Sequence, residues 1–251
     1  MTRFFNFSLV AAVLFGASDL LFSSLNQRLV MHPDAYAQAT PDLGMNAQLL
    51  VAARNDDLAT VRRVLDNGAL PDSRNRAGDT ALMIFVRKGN AEMVDLLIGK
   101  GANVNLQNLA KVSPLMAAAH GGNTGIARTL IDHGADVNAS DQLFKTAMVY
   151  AAGQGNTGVV ALLLDAGVDV NKTYHHDLTA LMWAAGYGKT ETVKLLLARG
   201  ADPALKDDRG KTAGEIARDA KHEEVAELLK VGEWGKGKSR DGRDDRDGVT
   251  R

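Results

Sequence analysis

Short blocks of apolar residues, separated by polar residues and glycines, recur along most of the chain. In residues 93–98 the sequence Met-Val-Asp-Leu-Leu-Ile contains one polar residue. Comparable blocks surround Leu130, Val160 and Leu195. Apolar residues spaced three and four apart form one face of an α-helix, whereas a half-buried strand would alternate strictly. The pattern therefore predicts an all-α fold built from short, similar helices.

A constant interval of 33 residues relates these blocks to one another. Hydroxyl residues that can cap a helix start recur as Thr80, Ser113, Thr146, Thr179 and Thr212. Glycines that can end the first helix of each unit recur as Gly89, Gly122, Gly155 and Gly188. Glycines that can end the second helix recur as Gly68, Gly101, Gly134, Gly167 and Gly200. Self-similarity at a fixed period predicts stacked helical units, which present a surface for binding.

The repeated sequence resembles the ankyrin repeat over residues 44–231. The third unit contains residues 113–116 (Ser-Pro-Leu-Met), 122–123 (Gly-Asn) and 134–138 (Gly-Ala-Asp-Val-Asn), in the order of the family signature. The resemblance implies an all-α ankyrin-repeat solenoid of about six helix-turn-helix repeats with β-turn tips. The predicted repeats span residues 44–76, 77–109, 110–142, 143–175, 176–208 and 209–231.

Several positions of the repeat carry specific structural expectations. Asn90, Asn123 and Asn156 are expected to cap the second helices. Leu130 and Leu163 lie in the leucine runs and are expected in the core between repeats. The signature histidine is replaced by Met83, Met116 and Met182, and by Val149 in the fourth repeat, so thioether packing should replace its hydrogen bonds.

The two ends of the chain differ from the repeats. Arg3, the apolar stretch that follows it, and the sequence Ala-Tyr-Ala at 35–37 predict a signal peptide over residues 1–37, followed by a linker over 38–43. Cleavage after Ala39 is an alternative, and an uncleaved membrane anchor over residues 4–22 is disfavoured by Asp19. A periplasmic or secreted location follows from cleavage. Residues 232–251 are highly charged and are predicted to form a disordered tail.

Composition narrows the classes of function. The chain has 29 basic and 30 acidic residues, a balance unlike that of general nucleic-acid or anionic-membrane binders. It has no cysteine, which excludes disulfides, thiol nucleophiles and cysteine metal sites. Adjacent His175 and His176 lack the spacing of helical metal ligands, so solvent or partner contact is favoured. We predict no enzyme activity, no catalytic or metal residue, no cofactor, no small-molecule substrate and a monomeric state.

The turns between repeats contain the predicted partner-binding residues. Two turns follow the family pattern, with glycine at Gly78 and Gly210, whereas the three turns between them have Lys111, Phe144 and Asp177 instead. Apolar and aromatic residues gather there, and such a patch is typical of an interaction site. The candidates on the turns are Leu109, Val112, Leu143, Phe144, Tyr174, His175, His176 and Leu178. Those on the first helices are Arg87, Lys88, Gln154 and Tyr187, and His120 and Trp183 are expected on the same helix surface.

These observations predict an exported, non-catalytic module that binds a protein partner through its middle repeats. Two alternatives remain at this point. One is an inhibitor or chaperone of a specific periplasmic enzyme, and the other is a scaffold anchored to the membrane by an uncleaved N-terminal segment. A structural alternative also remains for the turns, since Phe144 and Leu178 could instead fold back on a neighbouring turn.

Overall fold

The structure, a computed structural model, describes residues 44–230, which form twelve α-helices in six antiparallel pairs. The pairs are α1 (Met45–Asn55) and α2 (Leu58–Asp66), α3 (Ala81–Lys88) and α4 (Ala91–Gly99), α5 (Pro114–Gly121) and α6 (Thr124–Asp132), α7 (Ala147–Gln154) and α8 (Thr157–Asp165), α9 (Ala180–Gly186) and α10 (Thr190–Ala198), and α11 (Ala213–Asp219) and α12 (Glu223–Lys230). The predicted signal peptide, linker and charged tail lie outside the described residues.

Helices of the same kind stack on one another along the array. Each odd-numbered helix, or first helix, packs against the first helix of the next pair. The even-numbered, or second, helices from α4 onward do the same. Each pair therefore buries its apolar faces against its neighbours, as a single pair of short helices cannot do alone. The predicted all-α solenoid of six helix-turn-helix units is confirmed.

The helix ends follow from the repeated hydroxyl and glycine residues. Thr80 accepts a hydrogen bond from the Met83 N–H (3.2 Å), and the hydroxyls of Ser113, Thr179 and Thr212 make the equivalent bond. Thr146 makes no such side-chain bond. First helices α3, α5 and α7 end at left-handed glycines, as expected: Gly89, Gly122 and Gly155.

The methionines that replace the signature histidine pack as expected, since Met83, Met116 and Met182 are all buried. Two of them also accept a weak hydrogen bond at the helix start. The Ser113 N–H donates to the Met116 Sδ atom (3.5 Å), and the Thr179 N–H donates to that of Met182 (3.4 Å). The thioether thus partly fills the role of a polar side chain in a capping box.

The core between the repeats contains the leucines of the second helices. Leu130 and Leu163 are both completely buried, which confirms their predicted position. Burying a leucine side chain contributes about 1.5–3 kcal/mol relative to leaving it exposed. These leucines thus contribute, together with the buried residues of the first helices, to the packing that joins neighbouring repeats.

The expectation that three asparagines cap the second helices is correct only for Asn90, whose Oδ1 atom accepts from the Met93 N–H (3.1 Å). Asn123 and Asn156 make no side-chain cap bond. The Asn156 Nδ2 atom instead donates to the carbonyls of Ala119 (2.7 Å) and His120 (3.0 Å) in the preceding repeat. The Asn123 Nδ2 atom likewise donates to the Val86 carbonyl (3.3 Å), so both asparagines bond to carbonyls near the end of the neighbouring first helix.

Candidate functional site

Five turns, each preceding a first helix, project from the array. We call residues 75–79 and 207–211 the flanking tips, and residues 108–112, 141–145 and 174–178 the middle tips. Four of the five begin with Asn or Asp. In the first, the Asn75 Oδ1 atom accepts from the backbone N–H groups of Ala77 (2.8 Å) and Asp79 (3.0 Å). This bond pattern recurs at Asn108, Asp141 and Asp207, and it gives these tips one common geometry.

The fourth tip is built differently because Tyr174 occupies the Asn/Asp position. A tyrosine side chain does not supply the local acceptor, and the tip becomes a 3₁₀ turn over His175–Asp177. The Tyr174 N–H donates to the Leu178 carbonyl (2.9 Å) and closes the turn. The Tyr174 ring packs against the core. Burial raises the pKa of the Tyr174 phenol to about 12, and the negative charge of Asp169 adds to the shift.

The fourth residue of each tip has a left-handed backbone. In the flanking tips it is glycine, at Gly78 (φ 81°) and Gly210 (φ 76°). In the middle tips it is Lys111 (φ 59°), Phe144 (φ 58°) or Asp177 (φ 55°). A residue with a Cβ atom pays about 1–2 kcal/mol for this conformation, and a bulky residue such as Phe rarely adopts it. Strain of this kind is therefore confined to the middle tips among the five described.

The apolar residues predicted on the tips divide into two groups. Leu109 (66% exposed), Phe144 (61%) and Leu143 project into solvent. Val112 (8%) and Leu178 (6%) are buried, so the expectation that they are exposed is wrong. Each of the two lies directly before a capping hydroxyl, where the chain enters the first helix and its side chain turns into the core. The alternative that Leu178 folds back on a neighbouring turn also expected it to be covered, and the structure places its side chain in the core.

The joint between the third and fourth tips differs from the other joints. Backbone hydrogen bonds join the other neighbouring tips, from Leu109 to Ala77 (3.0 Å), from Gln142 to Ala110 (3.2 Å) and from Asp208 to His176 (3.1 Å). Between residues 141–145 and 174–178 no backbone bond of this kind is formed. Here the Phe144 ring stacks on the His175 ring, with centroids 5.4 Å apart and an interplanar angle of 11°. The exposed Phe144 thus lies where the tips are least connected.

Aromatic side chains continue from this joint along the first helices. We call His120, Tyr150, Trp183 and Tyr187 the aromatic face. The Trp183 and Tyr187 rings are stacked 6.1 Å apart, and His120 meets Tyr150 edge to face at 5.8 Å. Tyr187 lies over Gly153, where an added Cβ atom would come within 3.6 Å of its ring. Aromatic residues from three neighbouring repeats therefore lie together, and Tyr150 among them is buried.

Lys145 connects the middle tips with the aromatic face. It directly follows Phe144, and its ammonium lies 5.8 Å from the Tyr150 ring centroid and 5.4 Å from that of Trp183. These distances are those of cation–π contacts. Burial lowers the pKa of Lys145, and the negative charge of Asp141 opposes that shift. A half-buried cation thus lies between two rings at the centre of the candidate site.

Tyr150 also shields the carboxylate next to Lys145. Its hydroxyl donates to the Asp141 Oδ2 atom over 2.5 Å, and burial, followed by this hydrogen bond, raises the pKa of the Tyr150 phenol. In the last tip the acid at the same position, Asp207, pairs with an arginine instead, and the first tip has an acid–arginine pair at a different position. The flanking pairs are Arg87 with Asp79 (2.9 Å) and Arg209 with Asp207 (2.6 Å).

The first-helix candidates have different surroundings. Arg87 is held by the buried Asp79, and Lys88 pairs with Asp56 (2.7 Å), so both are engaged within the array. Gln154 is exposed and lies 3.3 Å from the His120 ring nitrogen. Tyr187 lies on the aromatic face. Exposed His175 and His176 lie at the fourth tip, where His176 Nδ1 is 2.6 Å from Asp208 Oδ2.

Two residues of the site, Lys145 and Tyr150, are missing from the sequence candidates. The 33-residue register contains the signal that would find them. The position of Tyr150 is occupied by Ile84, Ala117, Trp183 and Ile216 in the other repeats. Only the fourth and fifth repeats have a large aromatic residue there. Comparing residues across repeats at one position, rather than along the turns, would have located the aromatic face.

Neither a metal-binding cluster nor a membrane-spanning helix occurs in residues 44–230. That part of the chain contains no group of three or more His, Asp, Glu or Cys residues arranged to hold a metal ion. None of its helices is long and apolar enough to cross a membrane.

Comparison with known proteins agrees with the geometry of the repeats. The model of the family "Ankyrin repeats (3 copies)" matches residues 49–141, 94–174 and 148–236, which together cover well over half of the chain. No curated protein matches the chain at the threshold applied. The family match and the stacked helix pairs agree with the repeat signature of the sequence, and the chain therefore belongs to the ankyrin repeat family.

Proposed function

We propose that this protein is an exported, non-catalytic module that binds a protein partner with its middle tips and aromatic face. Ankyrin repeats are generally modules for protein–protein interaction, and this supports the class of function. The location of the binding surface within the array rests on one observation, the strained and exposed Phe144.

Phe144 has a conformation that the fold does not require. A glycine at this turn position would avoid the strain, as Gly78 and Gly210 do in the flanking tips. The Phe144 side chain is 61% exposed, so its burial within the array offsets little of the backbone strain. Strained residues that persist in a structure cluster at ligand clamps and other functional sites. The retention of a phenylalanine here favours a role in contact with another molecule.

The aromatic face extends this contact surface onto the first helices. Tyrosine, tryptophan and arginine are enriched among the residues that dominate binding energy at protein interfaces. Trp183 and Tyr187 are already stacked on each other, and the buried Tyr150 that supports this face is fixed by its bond to Asp141. A partner would therefore meet side chains that lose little conformational freedom on binding. This rigidity supports binding by display of a preformed surface.

Export rests on the N-terminal sequence, which precedes the described residues. Arg3, the apolar stretch and the Ala-Tyr-Ala site at 35–37 support cleavage by a signal peptidase. Intact mass of the protein isolated from the cell envelope or medium tests this part of the proposal. A mass lacking residues 1–37 or 1–39 supports export, whereas a mass that retains them contradicts cleavage and favours the anchored scaffold.

Site-specific photocross-linking tests the binding surface. Benzoylphenylalanine placed at Phe144 or Tyr187 should cross-link one defined protein in the source cells. The same group at Arg128, an exposed position on second helix α6, is the matched control and should not. Phe144→Ala should then reduce capture of that protein by at least about tenfold. Equal cross-linking from Arg128, or unchanged capture by Phe144→Ala, would contradict the proposed surface.

A further inference from the structure

Lys145 differs from the cations of the flanking tips in its partners. Arg87 and Arg209 each form an ion pair with the carboxylate of their own tip. Within residues 44–230, Lys145 forms no ion pair of that kind, and its ammonium lies against the rings of Tyr150 and Trp183. The middle of the array therefore presents a cation that has no direct ion pair with the carboxylate of its own tip, although the negative charge of Asp141 attracts it.

The nearest carboxylate already has its oxygens occupied. Asp141 Oδ1 accepts from the N–H groups of Leu143 (2.8 Å) and Lys145 (2.9 Å), and Oδ2 accepts from the Tyr150 hydroxyl (2.5 Å). At Asp207, the equivalent acid of the last tip, Arg209 donates to the Oδ2 atom in the place that the Tyr150 hydroxyl has here. Tyr150 thus occupies the Asp141 oxygen that an arginine takes in the last tip, and Lys145 is attracted to Asp141 without a direct ion pair.

The two rings make this ammonium a good partner for an incoming anion. Surfaces of Tyr150 and Trp183 displace water from around it, and a charge pair is stronger where less water surrounds it. Burial lowers the pKa of Lys145, so the ammonium has lost part of its hydration before any partner binds. Less water therefore has to be removed from the ammonium when a partner's carboxylate binds to it.

We propose that Lys145 is a specificity-determining residue that selects an extended partner segment bearing an acidic side chain. The carboxylate pairs with the Lys145 ammonium, and an adjacent apolar side chain packs on the exposed rings of Phe144 and His175. This inference rests on the proposed protein-binding function and names the chemistry of the partner. Exposed Leu143 lies on the same tip and widens the apolar contact.

A library of random short peptides displayed on phage tests this inference with the purified full-length chain. Enriched peptides are synthesised with a fluorescent label, and their affinity is measured by anisotropy at low and high ionic strength. The variants are Lys145→Met, which keeps the apolar stem, and Phe144→Ala. Lys194→Met is the matched control, since Lys194 is exposed on second helix α10 and pairs only with nearby Glu191. Circular dichroism verifies that each variant is folded.

We expect Asp or Glu beside an apolar residue in the enriched peptides. Lys145→Met should weaken their binding by at least about tenfold, and Lys194→Met should leave it unchanged. Higher ionic strength should weaken binding to the wild type more than binding to Lys145→Met, a measurement that needs no further variant. Peptides without acidic residues, equal affinity for Lys145→Met and the wild type, or no enrichment at all would overturn the inference.

The Phe144→Ala variant separates failure of this inference from failure of the proposed function. If peptides depend on Phe144 and are indifferent to Lys145, the surface stands and its acidic specificity does not. If they bind Phe144→Ala and the wild type equally well, the location of the surface itself is wrong.

Discussion

The flanking and middle tips share a backbone path and differ in what occupies it. In the flanking tips, Gly78 and Gly210 take the left-handed position without strain, and an arginine neutralises the carboxylate of each tip. In the middle tips, Lys111, Phe144 and Asp177 take the same position at a conformational cost. The third tip has in addition replaced its ion pair with a tyrosine–carboxylate bond.

This difference separates residues that build the array from residues that the array displays. Thr, Gly and Leu at repeated positions have structural reasons in every repeat, because they cap helices, turn the chain or fill the core. The departures gather in three successive tips and on the adjacent aromatic face. Backbone strain that is confined to one surface of an otherwise regular stack supports a role for these residues other than stabilising the fold.

The largest expected effect tests the structural side of this comparison. Leu130→Ala removes a completely buried side chain from the core between repeats and should destabilise the protein by about 2–5 kcal/mol. Leu109→Ala, at an exposed position of a middle tip, should change stability by only about 0.5 kcal/mol. Urea unfolding followed by circular dichroism measures both. Similar changes in the free energy of unfolding for the two variants would contradict the distinction between core and tip residues.

Two asparagines at equivalent positions should respond differently to the same substitution. Asn90→Asp keeps an acceptor for the Met93 N–H and should have little effect. Asn156→Asp places a carboxylate against the carbonyls of Ala119 and His120 and should cost about 2–3 kcal/mol. Thermal unfolding of the two variants at neutral pH compares them. A similar change in both would mean that Asn156 acts as a helix cap.

The tip glycines provide a pair that differs only in surroundings. Alanine at either position must adopt a positive φ, which costs about 1 kcal/mol or more. At Gly78 the added Cβ atom would also come within 2.8 Å of the Leu109 backbone nitrogen, whereas at Gly210 nothing lies within 4 Å. Gly78→Ala should therefore destabilise by about 2 kcal/mol and Gly210→Ala by about half as much. Equal urea-unfolding midpoints for the two variants would show that the neighbouring tip moves to accommodate the added Cβ atom at little cost.

The reverse substitution should stabilise the middle tips. Lys111→Gly and Phe144→Gly each remove a strained Cβ atom and should raise stability by up to about 1 kcal/mol, less any contribution from the Phe144–His175 stack. Phe144→Gly should also abolish capture of the partner that cross-links at position 144. Chemical unfolding and capture are measured on the same preparations. A loss of stability in Lys111→Gly would show that the left-handed residues are not strained.

The smallest expected effect concerns Tyr174, which only the fourth tip contains. Its pKa is raised from 10.0 to about 12 by burial, so the unfolded chain releases this proton first as the pH rises. The stability it contributes is complete below pH 10 and is lost between about pH 10 and 12. Thermal melts should show an extra loss of roughly 1 kcal/mol at pH 11 that Tyr174→Phe removes. An identical pH profile for both proteins would mean that the phenol is not buried.

The repeated pattern alone was enough to predict the fold. Hydroxyl caps, glycine ends and leucine runs are local requirements of the helices. Because they recur at the same positions in several repeats, the assignment of helices in one repeat is supported by the others. The burial of Leu130 and the left-handed Gly89 both follow from position in the repeat. The departures at Lys111, Phe144 and Asp177 are also visible in the sequence, because the repeat pattern predicts glycine at that turn position.

What the tertiary structure decided was which side chains meet. Val112 and Phe144 are both apolar tip residues, yet one is buried and the other is exposed, because Phe144 is the left-handed residue of its tip whereas Val112 comes directly after that residue and enters the first helix. Lys145, Tyr150 and Trp183 come from a tip and two helices, and only the stacking of repeats brings them together. Sequence determines local geometry through short-range sterics and hydrogen bonds, whereas contacts across repeats depend on how the helices pack.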